Sequence, residues 1–470
     1  MSSQNSTPVL KYKEKIAYAG GDFASNLSFH AINVFLMVYL TDVFGLNAAA
    51  VGLMLFVGGI WDAVNDPMMG AIADRTNTPS GKYRPYLKWF AIPYGILFYA
   101  VFAGPELGEI GKLIFVWTTY ISIKMVYTAI NVPYSALMGV ISPNSDDRFS
   151  LSTFRFMGAF GAQLLVVLLT LPLIQLIGAG DEQRGWSLTM AIFGILSVGM
   201  FFFCYSNTQE RIKPQPEKKV HVKDDIKFLL GNAPFLILAV AGICTLANVA
   251  IRNSVTVYYF KYFIGVGEDP VFSINLGLFP LHFDIITVFM TTGSIAFLIG
   301  CAFSGKIGRM FGKRNALIIL TLINALAVIS FYMIPPECVK LIFAVNIFAS
   351  IIAGPTPAIV WAMYTDVADY NEWKFGRRST GLIFSATMFA QKFGYTIGAS
   401  VAATMLAFFG YIANQAQTPE ALNGILMMYS IIPGVLALIN GVILFWFPLT
   451  QEQTEEMQND LTISRANSGA

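Results

Sequence analysis

Charge is scarce in this chain. Only 12% of its 470 residues are Asp, Glu, Lys or Arg, against about 25% in a soluble globular domain. That excludes a soluble enzyme, a disordered protein and a fibrous repeat. No one sign dominates: 30 basic and 28 acidic residues leave a net charge of +2, and no basic arm is present to bind a nucleic acid. Cysteine is rare too. Cys204, Cys244, Cys301 and Cys338 form no CxxC pair and are expected to be reduced packing residues. No GxxxxGK[ST] phosphate loop, no G-x-S-x-G elbow and no zinc-spaced His or Cys cluster occurs, so neither a nucleotide nor an organic cofactor is expected, nor an enzymatic activity. The opening MSSQNSTPVLKYKEK lacks a cleavable signal pattern, so the first apolar segment is expected to remain as a span.

What is abundant is apolar sequence, at 55% of residues. Twelve apolar segments fall at 16–41, 49–73, 86–103, 112–140, 150–178, 186–205, 233–264, 285–304, 315–334, 339–366, 379–410 and 422–447. Each approaches or exceeds the roughly 20 residues that cross a bilayer. The runs are continuous, not alternating, which excludes a transmembrane barrel. With the N-terminus inside, 21 basic residues fall in inside loops and three (Lys112, Arg184, Lys340) in outside loops. The positive-inside rule then places both termini in the cytoplasm.

The polar stretch 206–228, with Pro214 and Pro216, reads as a linker between two halves. The expected organisation is an all-α membrane protein of two six-helix bundles, residues 1–205 and 233–447. A cytoplasmic linker covers 206–232 and a cytoplasmic tail 448–470. The halves echo each other weakly: Pro133 in the fourth span has counterparts in Pro355 and Pro357, and Arg148 before the fifth span in Arg378 before the eleventh. Proline-interrupted spans at corresponding places in two halves point to a transporter with a central site.

Ionisable residues inside spans cost at least about 2.5–3.5 kcal/mol each and are functional candidates. Here they are Asp22, Asp62, Asp66, Lys124, Arg155, Arg252 and Lys392. Asp62 and Asp66 lie four apart, on one helix face, with Asn65 beside them and Pro67 next. Asp62 is roughly 20 Å into its span at 1.5 Å per residue. Two neighbouring carboxylates in a low dielectric demand a proton or a cation, and carboxylate and amide oxygens suit a hard cation such as Na+. Lys124, Thr128, Asn131 and Ser135 form a polar stripe in the fourth span, flanked by Tyr127 and Tyr134, a surface suited to a polyhydroxylated ligand. Asp22, Asn26, His30 and Asn33 line the first span. His30 is either a proton carrier or a hydrogen-bonded packing or substrate-contact residue.

Several motifs together carry a resemblance: G-G-D-F in the first span, W-D-A-V-N-D-P in the second, A-D-R-T…G-K-Y-R-P after it, N-V-P-Y in the fourth and D-V-A-D-Y-N-E-W-K…R-R before the eleventh. The sequence resembles the glycoside–pentoside–hexuronide:cation symporters, the melibiose-carrier group of the major facilitator superfamily, over nearly the whole membrane domain. The resemblance implies twelve helices in the major facilitator fold. It implies a sodium site at Asp62, Asp66, Asn65 and Thr128, and sugar contacts at Asp22 and Arg155 with Lys392 nearby. To the sugar site the polar stripes add Asn131, Tyr127, Lys124 and Asn26. A cytoplasmic charged gate is implied at Asp366, Asp369, Glu372 and Arg378, which Arg75 and Arg148, also inside-facing, are expected to join. Asn131 stands where the melibiose carrier has a sugar-binding aspartate, and Gly21 and Gly59 where it has a lysine and an arginine, so melibiose is not the expected substrate.

The expectation is therefore a monomeric bacterial inner-membrane symporter, in contact with lipid but with no nucleic acid or nucleotide. It would take up a sugar, glycoside, oligosaccharide or uronide with Na+. Proton coupling on the same scaffold and a sodium-coupled lysolipid carrier are the alternatives.

Overall fold

The computed structural model describes residues 10–142, 145–212, 229, 231–266, 270–275, 280–375 and 380–468. Arg378 and linker residues 213–228 lie outside them. All twelve apolar segments fall on helices. The first is α1 (Tyr12–Val38), which widens into a π turn at Tyr39–Val43. There follow α2 (Ala48–Arg75), α3 (Arg84–Val101), α4 (Glu109–Ile141), α5 (Ser145–Gly178) and α6 (Glu182–Asn207). Then come α7 (Ala233–Tyr258) with a second π turn at Tyr259–Ile264, α8 (Ile285–Ala302), the short α9 (Ser304–Phe311) and α10 (Lys313–Ser330). The last are α11 (Val339–Ala353), α12 (Thr356–Phe375), α13 (Thr380–Phe408), α14 (Pro419–Tyr429), α15 (Ile431–Leu444) and α16 (Gln451–Ser468). Ten helical segments among the described residues are long and apolar enough to cross a membrane.

Helix starts follow ordinary capping chemistry. The side chains of Asn47, Asp181, Asn232 and Thr418 accept from backbone N–H groups of Ala49, Arg184, Phe235 and Ala421, which the first turn leaves without intrahelical partners.

Three features depart from twelve plain helices. The tenth segment, expected as one run over 339–366, turns at Gly354-Pro355 and resumes as α12. Pro355 has no N–H to give, and Gly354 brings its backbone against α8, where a Cβ would lie 2.3 Å from the Phe297 carbonyl oxygen. The twelfth divides at Ser430, whose φ of −123° and ψ of −74° leave the helical region. The chain is also not purely α. Strands β1 (Phe272–Asn275) and β2 (Pro280–Phe283) pair antiparallel, with Phe272 stacked on Phe283 at 4.7 Å and Ser273 bonded to His282 at 2.7 Å.

The chain forms two compact units. One comprises Met1–Glu217 with Glu268–Val288, the other Lys218–Gly267 with Phe289–Ala470. In the first, α1 packs along α5 and α6, α2 along α4, α3 along α4 and α6, and the hairpin rests on α5. In the second, α7 packs along α13 and α15, and α10 along α15 and α11. The α7–α13 approach needs Gly394 and Gly398: a Cβ at either would fall 2.6 Å or less from the carbonyl oxygens of Ile243 and Ala247. Small residues at this spacing let membrane helices meet backbone to backbone.

Candidate functional site

The first unit concentrates the intramembrane charges. Helices α2 and α4 meet in three rungs, each one helical turn from the next. At the first, Tyr120 lies over Gly58, where a Cβ would come within 2.4 Å of the ring. At the second, Lys124 Nζ donates to Asp62 Oδ2 at 2.8 Å. At the third, Thr128 Oγ1 donates to Asp66 Oδ1 at 2.9 Å. The i, i+4 spacing on both helices produces the register. Asp62 is 6% exposed, and its Oδ1, like Asn65 Nδ2, is buried with no hydrogen-bond partner among the described residues. Asp62, Asn65, Asp66 and Thr128 are thus brought together. Lys124, on the stripe expected to face substrate, caps Asp62 and holds its ammonium 5.6 Å from the Tyr120 ring centroid.

A second centre joins α1, α4 and α5. Arg155 Nε donates to Asp22 Oδ1 at 3.2 Å, and the guanidinium lies over the Tyr134 ring at 5.5 Å. Tyr134 stacks on Tyr18 at 4.6 Å. Each phenol bonds the other's backbone carbonyl, at 2.6 Å and 3.3 Å, so the floor under Arg155 is fixed. Asn26 turns its amide to the Asp22 carbonyl at 2.8 Å, which orients it along α1. Tyr127 stacks on Phe29, whose ring lies edge-on to His30. Asn131 is half-buried, one turn beyond Tyr127. Sequence spacing suggested the polar stripes but not Tyr18, a tyrosine in an apolar run with no flanking signal.

Lys392 and Arg252 belong to the second unit. Lys392 is half-buried on α13. Arg252 is flanked by Tyr429 and Phe331, at 4.8 Å and 5.3 Å from the ring centroids, and bonds the Tyr429 hydroxyl at 3.2 Å. Aromatic faces stabilise its charge, and no carboxylate pairs with it among the described residues.

The expected gate residues that are described fall in both units, Asp366, Asp369 and Glu372 on α12 and Arg148 and Arg75 in the first unit. Asp366 is 5% exposed and receives Lys313 Nζ at 2.6 and 2.7 Å. Asp369 and Glu372 are half-buried further along α12. Arg148 reaches the Ser142 carbonyl at 3.4 Å, and Arg75 is exposed. Two anchors at the same end of the first unit had no sequence signal. Glu14 holds Arg211 through two bonds of 2.8 and 2.9 Å, raising the guanidinium pKa. Glu210 accepts the backbone N–H groups of Lys82, Tyr83 and Arg84 at 2.7–2.8 Å. Their partners lie more than a hundred residues away, beyond the reach of local spacing.

Apolar helices of spanning length, with ion pairs held between them, define a polytopic membrane protein. The sequence matches the family described as MFS/sugar transport protein over residues 17–451. It is 34% identical to the symporter YnaJ of Bacillus subtilis, covering 95% of this chain and 94% of that one. It is 31% identical to an isoprimeverose transporter of Lactiplantibacillus pentosus, covering 98% and 94%. A D-xylose-proton symporter shares the fold at a TM-score of 0.65 and 14% identity, over 93% and 97% of the two chains. The chain belongs to the MFS/sugar transport family and, within it, to the glycoside–pentoside–hexuronide:cation symporters. It is a multi-pass bacterial inner-membrane transporter, not an enzyme.

Proposed function

We propose that this transporter takes up a sugar or glycoside together with Na+ by alternating access. Its twelve spans form two six-helix bundles with both termini in the cytoplasm. The observation that carries the reading is the Asp62–Asp66 face of α2, closed by Thr128, with a buried Asp62 oxygen that has no hydrogen-bond partner among the described residues. Buried carboxylates, an amide and a hydroxyl supply the oxygen set a hard cation needs. Asp22, Arg155, Asn131, Tyr127 and Asn26 are assigned to the sugar, because charged hydrogen-bonding groups beside aromatic faces match a polyol. Lys392 is assigned to the same substrate and Asp366, Asp369, Glu372, Arg378, Arg148 and Arg75 to the cytoplasmic gate. The isoprimeverose transporter among its relatives favours a glycoside.

Uptake of a panel of labelled sugars and glycosides into energised vesicles, with and without Na+, tests this. Stimulation of one substrate by Na+ is expected. Uptake driven by a pH gradient and indifferent to Na+ would transfer the coupling role to a proton.

A further inference from the structure

Beyond the Asp22–Arg155 pair, helix α1 carries further polar side chains on the same side, at Asn26, His30 and Asn33. Spacings of four and three keep them together as the helix turns. Their surroundings differ. Asn26 is committed, its amide donating to the Asp22 carbonyl at 2.8 Å. The serines of the same stretch are satisfied as well, Ser25 by the Gly21 carbonyl and Ser28 by the Tyr94 hydroxyl. His30 and Asn33 are half-buried, and neither side chain has a hydrogen-bond or ion-pair partner among the described residues. The His30 ring meets Phe29 edge-on at 5.4 Å, and Phe29 stacks on Tyr127 at 6.4 Å. An imidazole and an amide with nothing to bond are costly inside a span unless a polar ligand or water meets them. A hydrogen-bonded packing role, which the sequence left open for His30, does not describe this ring.

Distance along the helix sets what the two groups can reach. His30 lies eight residues beyond Asp22 and Asn33 eleven, so about 12 and 16 Å along the axis. One sugar ring held by Asp22 and Arg155 does not extend that far. A second ring joined to it does, and the half-buried Phe29 and Tyr127 beside His30 offer the aromatic lining on which such a ring packs. We infer that His30 and Asn33 form a second sugar subsite on α1, so that the substrate is a two-ring glycoside whose first ring is held by Asp22 and Arg155. The inference rests on the sugar assignment proposed above and deepens it. A neutral imidazole and an amide both donate and accept, which matches hydroxyl groups and asks for no charge on the second ring.

The test is titration calorimetry of the purified full-length transporter in detergent at fixed Na+. The probes are methyl glycosides of xylose, glucose, galactose and glucuronic acid in both anomeric forms, each set beside disaccharides ending in the same non-reducing sugar. Folded wild type is expected to bind at least one disaccharide at least about tenfold more tightly than its methyl glycoside, the worth of two hydrogen bonds between neutral groups. The double variant His30→Phe/Asn33→Leu should erase that advantage and leave the affinity for the methyl glycoside unchanged, whereas Asp22→Ala should weaken both ligands. If the double variant does not fold, His30→Phe and Asn33→Leu decide separately, each expected to reduce the advantage about threefold. No advantage for any disaccharide in wild type, an advantage kept in full by the variants, or an equal loss of both ligands in them overturns the second subsite while leaving the first ring's site standing. Folded wild type that binds no member of the panel overturns both.

Discussion

Asp62 and Asp22 are each paired with a base from a neighbouring helix, Asp62 with Lys124 and Asp22 with Arg155. Pairing is what makes a charge tolerable at membrane depth, because an isolated one would be neutralised or expelled. The two centres should respond separately to mutation. Asp22→Ala is expected to weaken sugar binding by at least about tenfold, the loss of one hydrogen bond to a charged group, while Na+ binding stays detectable. Titration calorimetry of purified protein checks this, and unchanged sugar affinity would remove Asp22 from the site. Asp62→Cys and Asp66→Cys are each expected to abolish uphill uptake stimulated by Na+ while sparing downhill exchange. Accumulation against a gradient in response to Na+ by either variant would refute the assignment.

Among the elements, the α2–α4 pair and the linker's first residues matter most. The three rungs Gly58–Tyr120, Asp62–Lys124 and Asp66–Thr128 make α2 and α4 one slab. Glu210 ties the chain leaving α6 to the start of α3 by accepting three backbone N–H groups. Unmade bonds to partly buried groups cost about 1–3 kcal/mol. Glu210→Ala should therefore lower the thermal midpoint and speed hydrogen exchange at Lys82, Tyr83 and Arg84. Exchange unchanged at those amides would mean the loop holds itself. In the second unit Lys313 neutralises the buried Asp366. Lys313 is itself partly exposed, so the pair is discounted for solvent screening. If Asp366 belongs to the cytoplasmic gate, Lys313→Ala is expected to raise the labelling of cysteines placed in the cytoplasm-facing cavity. Equal labelling in the variant and the parent would exclude that role.

At the scale of the whole molecule, coupling decides whether transport carries current. One Na+ entering across 100 mV gains roughly 2.3 kcal/mol, enough for about fifty-fold accumulation of a neutral co-substrate. A neutral sugar carried with one Na+ should depolarise a membrane. A singly acidic sugar with one Na+ should not. Current recorded from reconstituted transporter during uptake therefore reports substrate class. Current of the same sign and size for a neutral and an acidic substrate would contradict a fixed stoichiometry of one ion.

The sequence by itself determined the helices and the candidate charges. An apolar run of spanning length has no other way to satisfy its backbone in lipid than to become a helix, and an aspartate inside such a run is conspicuous wherever it sits. The Asp62–Asp66 face followed from helical spacing within one segment. Only the tertiary structure decided the partners. Lys124 sits 62 residues from Asp62 on a stripe that reads equally well as facing a sugar, and Glu14 meets Arg211 across 197 residues. Arg252 resembles Arg155 as an arginine in a span, yet one is flanked by the Tyr429 and Phe331 rings and the other bonds Asp22. Local periodicity states which face of a helix is polar. It does not state which helix that face will meet, because that choice depends on packing between segments distant along the chain.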